Sequence, residues 1–240
     1  MTKPTKAFIL AAGFGTRMRP LTDDKPKPMV EINGRSIIWH ILDKLRAIDV
    51  CDVVVNTHYL ADILTQHMRD YQALFPDMNI IISHEEEVLD TGGGVVKALP
   101  YFEGEPFYVI AGDAYWEDAD VPALQVLSDM WDETKMDVVT WMQPVKDMVL
   151  TRGVGDYDLD MDGKVHRSLD KSGSHMWTNI RINAAHIYED APQGAFSVLP
   201  IMDDCEKRGR YFAIEADSVW HHISTPVDLQ AVNSYIKGDN

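Results

Sequence analysis

The chain has 240 residues, 45 % hydrophobic and 25 % charged, and its 22 lysines and arginines against 38 acidic residues leave a formal net charge of −16. That length and apolar content suit one large domain with a substantial core, and the acidic balance excludes nucleic acid and anionic membrane as expected partners. Cys51 and Cys205, the only cysteines, show no CxxC or zinc spacing. The early apolar run is too short for a signal peptide and none approaches the ~18 residues of a membrane span, so a cytoplasmic setting is expected.

In chain order, apolar runs bounded by turns alternate with amphipathic segments, the pattern of a mostly parallel sheet flanked by helices. Residues 6–11 (KAFILA) predict a buried first strand. Ile37, Ile38, Ile41, Leu42 and Leu45 recur at helical spacing within a helix over 36–48. Strands follow at 52–56 (DVVVN), 79–83 (NIIIS) and 107–111 (FYVIA), with helices at 60–71 and 94–99 between them. A helix over 121–131 and a strand over 137–142 complete this part. After Pro144 short polar strands are predicted at 155–160, 164–168 and 180–184, and helices return at 197–208 and 226–236. The expected organisation is a single domain: residues 1–144 an α/β core, 145–196 a smaller strand-rich lid, and 197–240 a return to the core.

The segment LAAGFGTRMRPLTDDKPKPM, residues 10–29, concentrates cations in an acidic protein. It is no dinucleotide fingerprint, because Met18 stands at the third glycine position and Pro20 interrupts the helix that should follow. It is no Walker A loop either. A GxG after a strand is by itself often a plain tight turn. Here Gly13 and Gly15 can bring N–H groups onto phosphate oxygens, and Arg17 adds a planar charged fork. Pro26 and Pro28 stiffen the backbone around Lys27. Arg19 and Lys25, beside Asp23 and Asp24, read as surface residues.

Taken in order, Leu10-Ala11-Ala12-Gly13, Gly15-Thr16-Arg17, Pro20-Leu21-Thr22 and Pro26-Lys27-Pro28 resemble the signature of the sugar-1-phosphate nucleotidylyltransferases. The similarity continues through Thr91-Gly92-Gly93-Gly94, Gly112-Asp113 and residues 220–229. The short chain and its DTGGG run are most similar to the bacterial N-acetylmuramate-1-phosphate uridylyltransferases. The resemblance implies a Rossmann-like α/β fold of the nucleotide-diphospho-sugar transferase type with a sugar-binding lid. It implies magnesium-dependent transfer of a nucleotidyl group from a nucleoside triphosphate to a sugar 1-phosphate, releasing pyrophosphate, in nucleotide-sugar synthesis for peptidoglycan recycling. Manganese or cobalt are possible substitutes.

Carried over by position, Arg17 would hold the departing phosphates and Lys27 would attend the reacting one. Leu10, Ala12, Gly13, Gly15, Thr16, Gly92 and Gly93 would contact the nucleotide. Asp113 would bind metal, although Gly-Asp at a strand end is also an ordinary turn. In the lid, Gly155, Asp156, Asn179 and Arg181 would meet the sugar, Arg181 through the phosphate or a lactyl carboxylate. The run Glu85-Glu86-Glu87 is either a solvated loop or the edge of the base or ribose pocket.

One position departs from the pattern. His222 stands where the family's Trp-x-Asp-x-Gly-Thr motif has a metal-ligating aspartate, and Ser224 replaces the glycine. His222 is therefore open as a metal ligand, a phosphate contact or a packed residue beside Trp220. The same chemistry with GTP and mannose 1-phosphate, TTP and glucose 1-phosphate, or CTP and a phosphorylated alcohol also fits, as does a non-catalytic nucleotide-binding subunit.

Overall fold

The computed structural model describes residues 3–151 and 153–238. Strand β1 (Lys6–Leu10) leads into the cation-rich segment, and a small hairpin of β2 (Glu31–Ile32) and β3 (Arg35–Ser36) precedes helix α1 (Ile37–Arg46). Next come β4 (Asp52–Thr57), α2 (Ala61–Leu74), β5 (Asn79–His84), α3 (Asp90–Ala98), β6 (Phe107–Ala111) and the two-residue β7 (Tyr115–Trp116). Helix α4 (Ala123–Met130) and β8 (Val138–Pro144) precede a hairpin of β9 (Tyr157–Leu159) and β10 (Val165–Arg167). The chain ends through β11 (His175–Asn183), α5 (Leu199–Lys207), β12 (Tyr211–Glu215), β13 (Trp220–His221) and α6 (Pro226–Lys237).

Nine strands form one mixed sheet among the described residues, with the path β10-β9-β11-β6-β1-β4-β5 and with β8 joining β11 to β12. The β1, β4, β5 and β6 ladders are parallel, as is β8 with β12, whereas β11 runs antiparallel to both β6 and β8. Strand β1 is central and covered on both faces. Ala7 and Ile9 enter one core with Ile37, Ile41, Leu45 and Met68, and Phe8 enters the other with Val54, Phe102 and Met202. This explains why KAFILA is continuously apolar rather than alternating. The parallel strands end together, and the loops at their carboxyl ends build the site.

Several elements differ from the sequence-based expectation. Helix α3 begins at Asp90, so the glycines 92–94 lie inside it, and β11 begins at His175 rather than near 180. Strand β12 was not expected at all. The β9–β10 hairpin, expected as part of a lid, continues the main sheet through the pairing of Tyr157 with His175. Among the described residues no helix is long and apolar enough to cross a membrane.

Candidate active site

The turn after β1 is held by its own groups. Gly15 has φ +60°, and its carbonyl accepts from Met18 N and Thr22 Oγ1, both at 2.9 Å. A side chain there would be strained and would bring its Cβ to 2.9 Å from Lys27 Cβ. Around Gly13 nothing lies within 4 Å of an added Cβ, so this glycine borders open space. Buried Met18 pins the 3₁₀ turn Thr16–Met18, leaving Arg17 exposed above it.

Lys27 opens a second 3₁₀ turn between its two prolines and is only 9 % exposed. Its Nζ donates to Asp113 Oδ2 at 2.5 Å and to the Ile223 carbonyl at 2.7 Å. Asp113 follows β6, and Gly112 N donates to Leu10 O at 2.8 Å, closing the turn against β1. A Cβ on Gly112 would come to 2.7 Å from that carbonyl, so glycine is required. The β1 loop, the β6 turn and the C-terminal segment thus meet at one ammonium group.

Beneath the loop lies a buried pair that the sequence reading did not single out. Asn56, at the end of β4, accepts from Ala11 N at 2.5 Å and donates to Glu85 Oε1 at 2.7 Å. Glu85 Oε2 accepts from Leu89 N at 2.9 Å, and both side chains are at most 2 % exposed. Glu85 is therefore the structural member of the acidic run, with Glu86 and Glu87 exposed. The only sequence signals were a polar residue closing an apolar strand and the first of three like charges.

A cavity of about 480 Å³ opens above this framework. Leu10, Ala12, Gly13, Gly15, Thr16, Arg17, Lys27, Asp113 and Asn179, all singled out from the sequence, line it, together with Asn56, Glu85 and Ser224. Two cations, Arg17 and Lys27, beside a glycine-rich loop suit a bound polyphosphate, with the carboxylates of Asp113, Glu85 and Asp90 also on the lining. Residues 6–154 match the family model for nucleotidyl transferase. The chain belongs to that family.

Members of the nucleotidyl transferase family resemble it over nearly its whole length. An N-acetylmuramate alpha-1-phosphate uridylyltransferase of Caulobacter vibrioides is 35 % identical, the alignment covering 93 % of each chain. The catalytic subunit beta of a mannose-1-phosphate guanylyltransferase from Danio rerio is 29 % identical over 93 % of this chain and 62 % of its own. Among solved structures, HddC from Yersinia pseudotuberculosis, complexed with GMP-PN, superposes with a TM-score of 0.75 at 26 % identity, covering 96 % of this chain and 99 % of that one. The protein is accordingly an enzyme of the sugar-1-phosphate nucleotidylyltransferase class.

The other residues singled out from the sequence stand off the cavity wall. Gly92 and Gly93 give their N–H groups to Phe196 O, at 2.9 and 3.3 Å, and a Cβ on them would meet the Phe196 ring and the Gly194 carbonyl respectively. Gly94 sits over the Asn56–Glu85 pair, where a Cβ would be 2.9 Å from both side chains. Gly155 packs against the Gly173 backbone. The Asp156 carboxylate is engaged by Lys171 Nζ at 2.5 Å and Trp177 N at 3.0 Å. Arg181 is fully buried behind Asn179. His222 Nε2 and Ser224 Oγ share a hydrogen bond of 2.7 Å, and burial, then the Lys27 charge, push the imidazole below its usual pKa.

For a metal, the donors are Asp113 and the neutral imidazole of His222; among the described residues no three His, Cys, Asp or Glu side chains converge. Magnesium is commonly held by one or two carboxylates with substrate phosphates and water completing the shell. Asp113 fits that pattern. His222 already shares its Nε2 with Ser224.

Proposed function

We propose that this chain transfers a uridylyl group from UTP to N-acetylmuramate 1-phosphate, with magnesium, giving UDP-N-acetylmuramate and pyrophosphate in the cytoplasm during cell-wall recycling. The observation carrying this reading is the end-to-end likeness to the Caulobacter vibrioides uridylyltransferase. The guanylyltransferase relative, by contrast, extends well beyond the part that this chain matches.

The obstacle to this reaction is charge, since two phosphorylated anions must meet and the leaving pyrophosphate gains more. Arg17 grips the departing phosphates with its planar fork. Lys27, anchored by the Ile223 carbonyl, turns an ammonium proton toward the α-phosphate and stabilises the charge that develops there. A magnesium ion held through Asp113 would neutralise phosphate oxygens and help align the in-line displacement. The sugar phosphate is already an anionic nucleophile, so the attack needs no deprotonating base. Asn56 and Glu85 keep the loop backbone in place for the nucleotide.

Purified protein incubated with four nucleoside triphosphates against a panel of sugar 1-phosphates, scored by pyrophosphate release, tests this directly. UTP with N-acetylmuramate 1-phosphate is expected to give the highest kcat/KM. Guanylyl transfer to mannose 1-phosphate is the second reading, favoured by the 29 % identical relative, and turnover confined to that cell would replace the first. Folded protein that binds nucleotide yet turns over in no cell would overturn both.

A further inference from the structure

Among the described residues, buried polar atoms without a hydrogen-bond partner gather on the face of β11 away from Ile180, six of them in one patch: Nε and Nη2 of Arg181, the Trp177 indole N–H, the Tyr157 and Tyr211 hydroxyls, and Asn183 Oδ1. They belong to one cluster. The Tyr157 ring packs on Trp177 at 6.3 Å and on Tyr211 at 5.9 Å, and the Arg181 guanidinium lies 5.3 Å from the Trp177 ring centre. Arg181 and Tyr211 are 0 % exposed and Tyr157 is 2 % exposed. Burial pushes the Tyr157 hydroxyl up to about 12 and the Tyr211 hydroxyl well above its usual value, so both stay protonated and able to donate.

Five of the six atoms are donors, and no carboxylate among the described residues pairs with the guanidinium. A guanidinium keeps its charge, and an unpaired buried charge is among the most costly groups a fold can hold. The partners beside it are neutral, Asn179 Oδ1 and the Tyr188 hydroxyl. Asn179, at φ +59°, also lines the cavity, so a single amide separates the unpaired cation from the reaction site.

We propose that Arg181 reads a carboxylate on the acceptor sugar, which takes the place of Asn179 Oδ1 on the guanidinium, while the Tyr211 hydroxyl supplies a further donor. This rests on the acceptor reading above and sharpens it, because the lactyl carboxylate is the group that separates N-acetylmuramate from N-acetylglucosamine. The planar fork matches a carboxylate in two parallel hydrogen bonds, and the neighbouring donors disfavour a neutral substituent there.

The test compares three acceptors with UTP: N-acetylmuramate 1-phosphate, the same sugar with its lactyl group as the carboxamide, and N-acetylglucosamine 1-phosphate. Wild type is expected to prefer the acid. Arg181→Met is expected to raise KM for the acid by roughly 10- to 100-fold, bringing the acid-to-carboxamide KM ratio close to one, with a smaller change in kcat. Arg181→Lys should fall between, and Tyr211→Phe, which removes a hydroxyl and little volume, should move the ratio the same way by less. Replacing an unpaired buried charge by an apolar side chain should leave Tm unchanged or higher. An unchanged ratio, or equal losses with acid and carboxamide, would overturn the inference while leaving the uridylyl assignment standing. Wild type that turns over only carboxylate-free sugars would overturn both.

Discussion

Lys27 concentrates more of the site's physics than any other residue. Its ammonium is nearly buried, meets one carboxylate and one carbonyl, and belongs to a residue that lines the cavity. Asp113→Asn keeps the size and an acceptor oxygen but removes the charge; turnover should fall by ~10²-fold or more. Circular dichroism and Tm should stay near wild type, and near-full pyrophosphate release by this variant would remove Asp113 from the mechanism. Asp113→Ala leaves the ammonium with only the Ile223 carbonyl and should be the less stable of the two. At this scale Arg17, Lys27 and Asp113 were readable because each lies in a contiguous motif or at a strand end. Asn56 and Glu85 were not, because their hydrogen bond joins residues 29 positions apart and depends on the β4–β5 register.

Among the elements, α3 shows why local propensity misplaced a boundary. A glycine inside a helix costs about 1 kcal/mol relative to alanine, so a DTGGG run reads as the turn before a helix. The glycines are there because neighbours approach too closely for a Cβ, most severely the Gly194 carbonyl over Gly93. Gly93→Ala should therefore destabilise the protein by about 1–3 kcal/mol or more, opposite in sign to its helix propensity; the urea midpoint decides between them. The two-residue strands β2, β3, β7 and β13 had no readable pattern, being too short for any period. Helices α1 and α2 carry a pH prediction. His67 stacks on Trp39 at 4.6 Å and meets Ser36 Oγ at 2.8 Å, and burial holds it, like His40, below its usual pKa. Between the unfolded value near 6.5 and the lower folded values, the unfolded chain binds more protons. Stability should therefore be full above about pH 7 and decline as pH falls below about 6.5. Tm measured from pH 8 to 5.5 should show that slope, and His67→Gln should flatten it.

For the whole molecule, the Lys27 contacts join residues separated by 86 and 196 positions, so nucleotide binding should be felt by the global transition rather than by a loop alone. A ligand at 100 times its Kd stabilises by about 2.7 kcal/mol, and a domain of this size gains about 2–4 °C per kcal/mol. UTP with magnesium should therefore raise Tm by roughly 5–10 °C. Lys27→Met should lose most of that shift, while His67→Gln, outside the residues that line the cavity, should keep it. The net charge of −16 bears on the salt dependence. Added salt weakens the attraction of Arg17 for the triphosphate, but it also screens the repulsion between the acidic surface and an anionic ligand. Opposed in this way, the two effects should leave the UTP-induced shift within about twofold between ~0.05 and ~0.3 M salt. A collapse of the shift over that range would mean that exposed cations, and not the semi-buried Lys27 cluster, dominate the grip on the nucleotide.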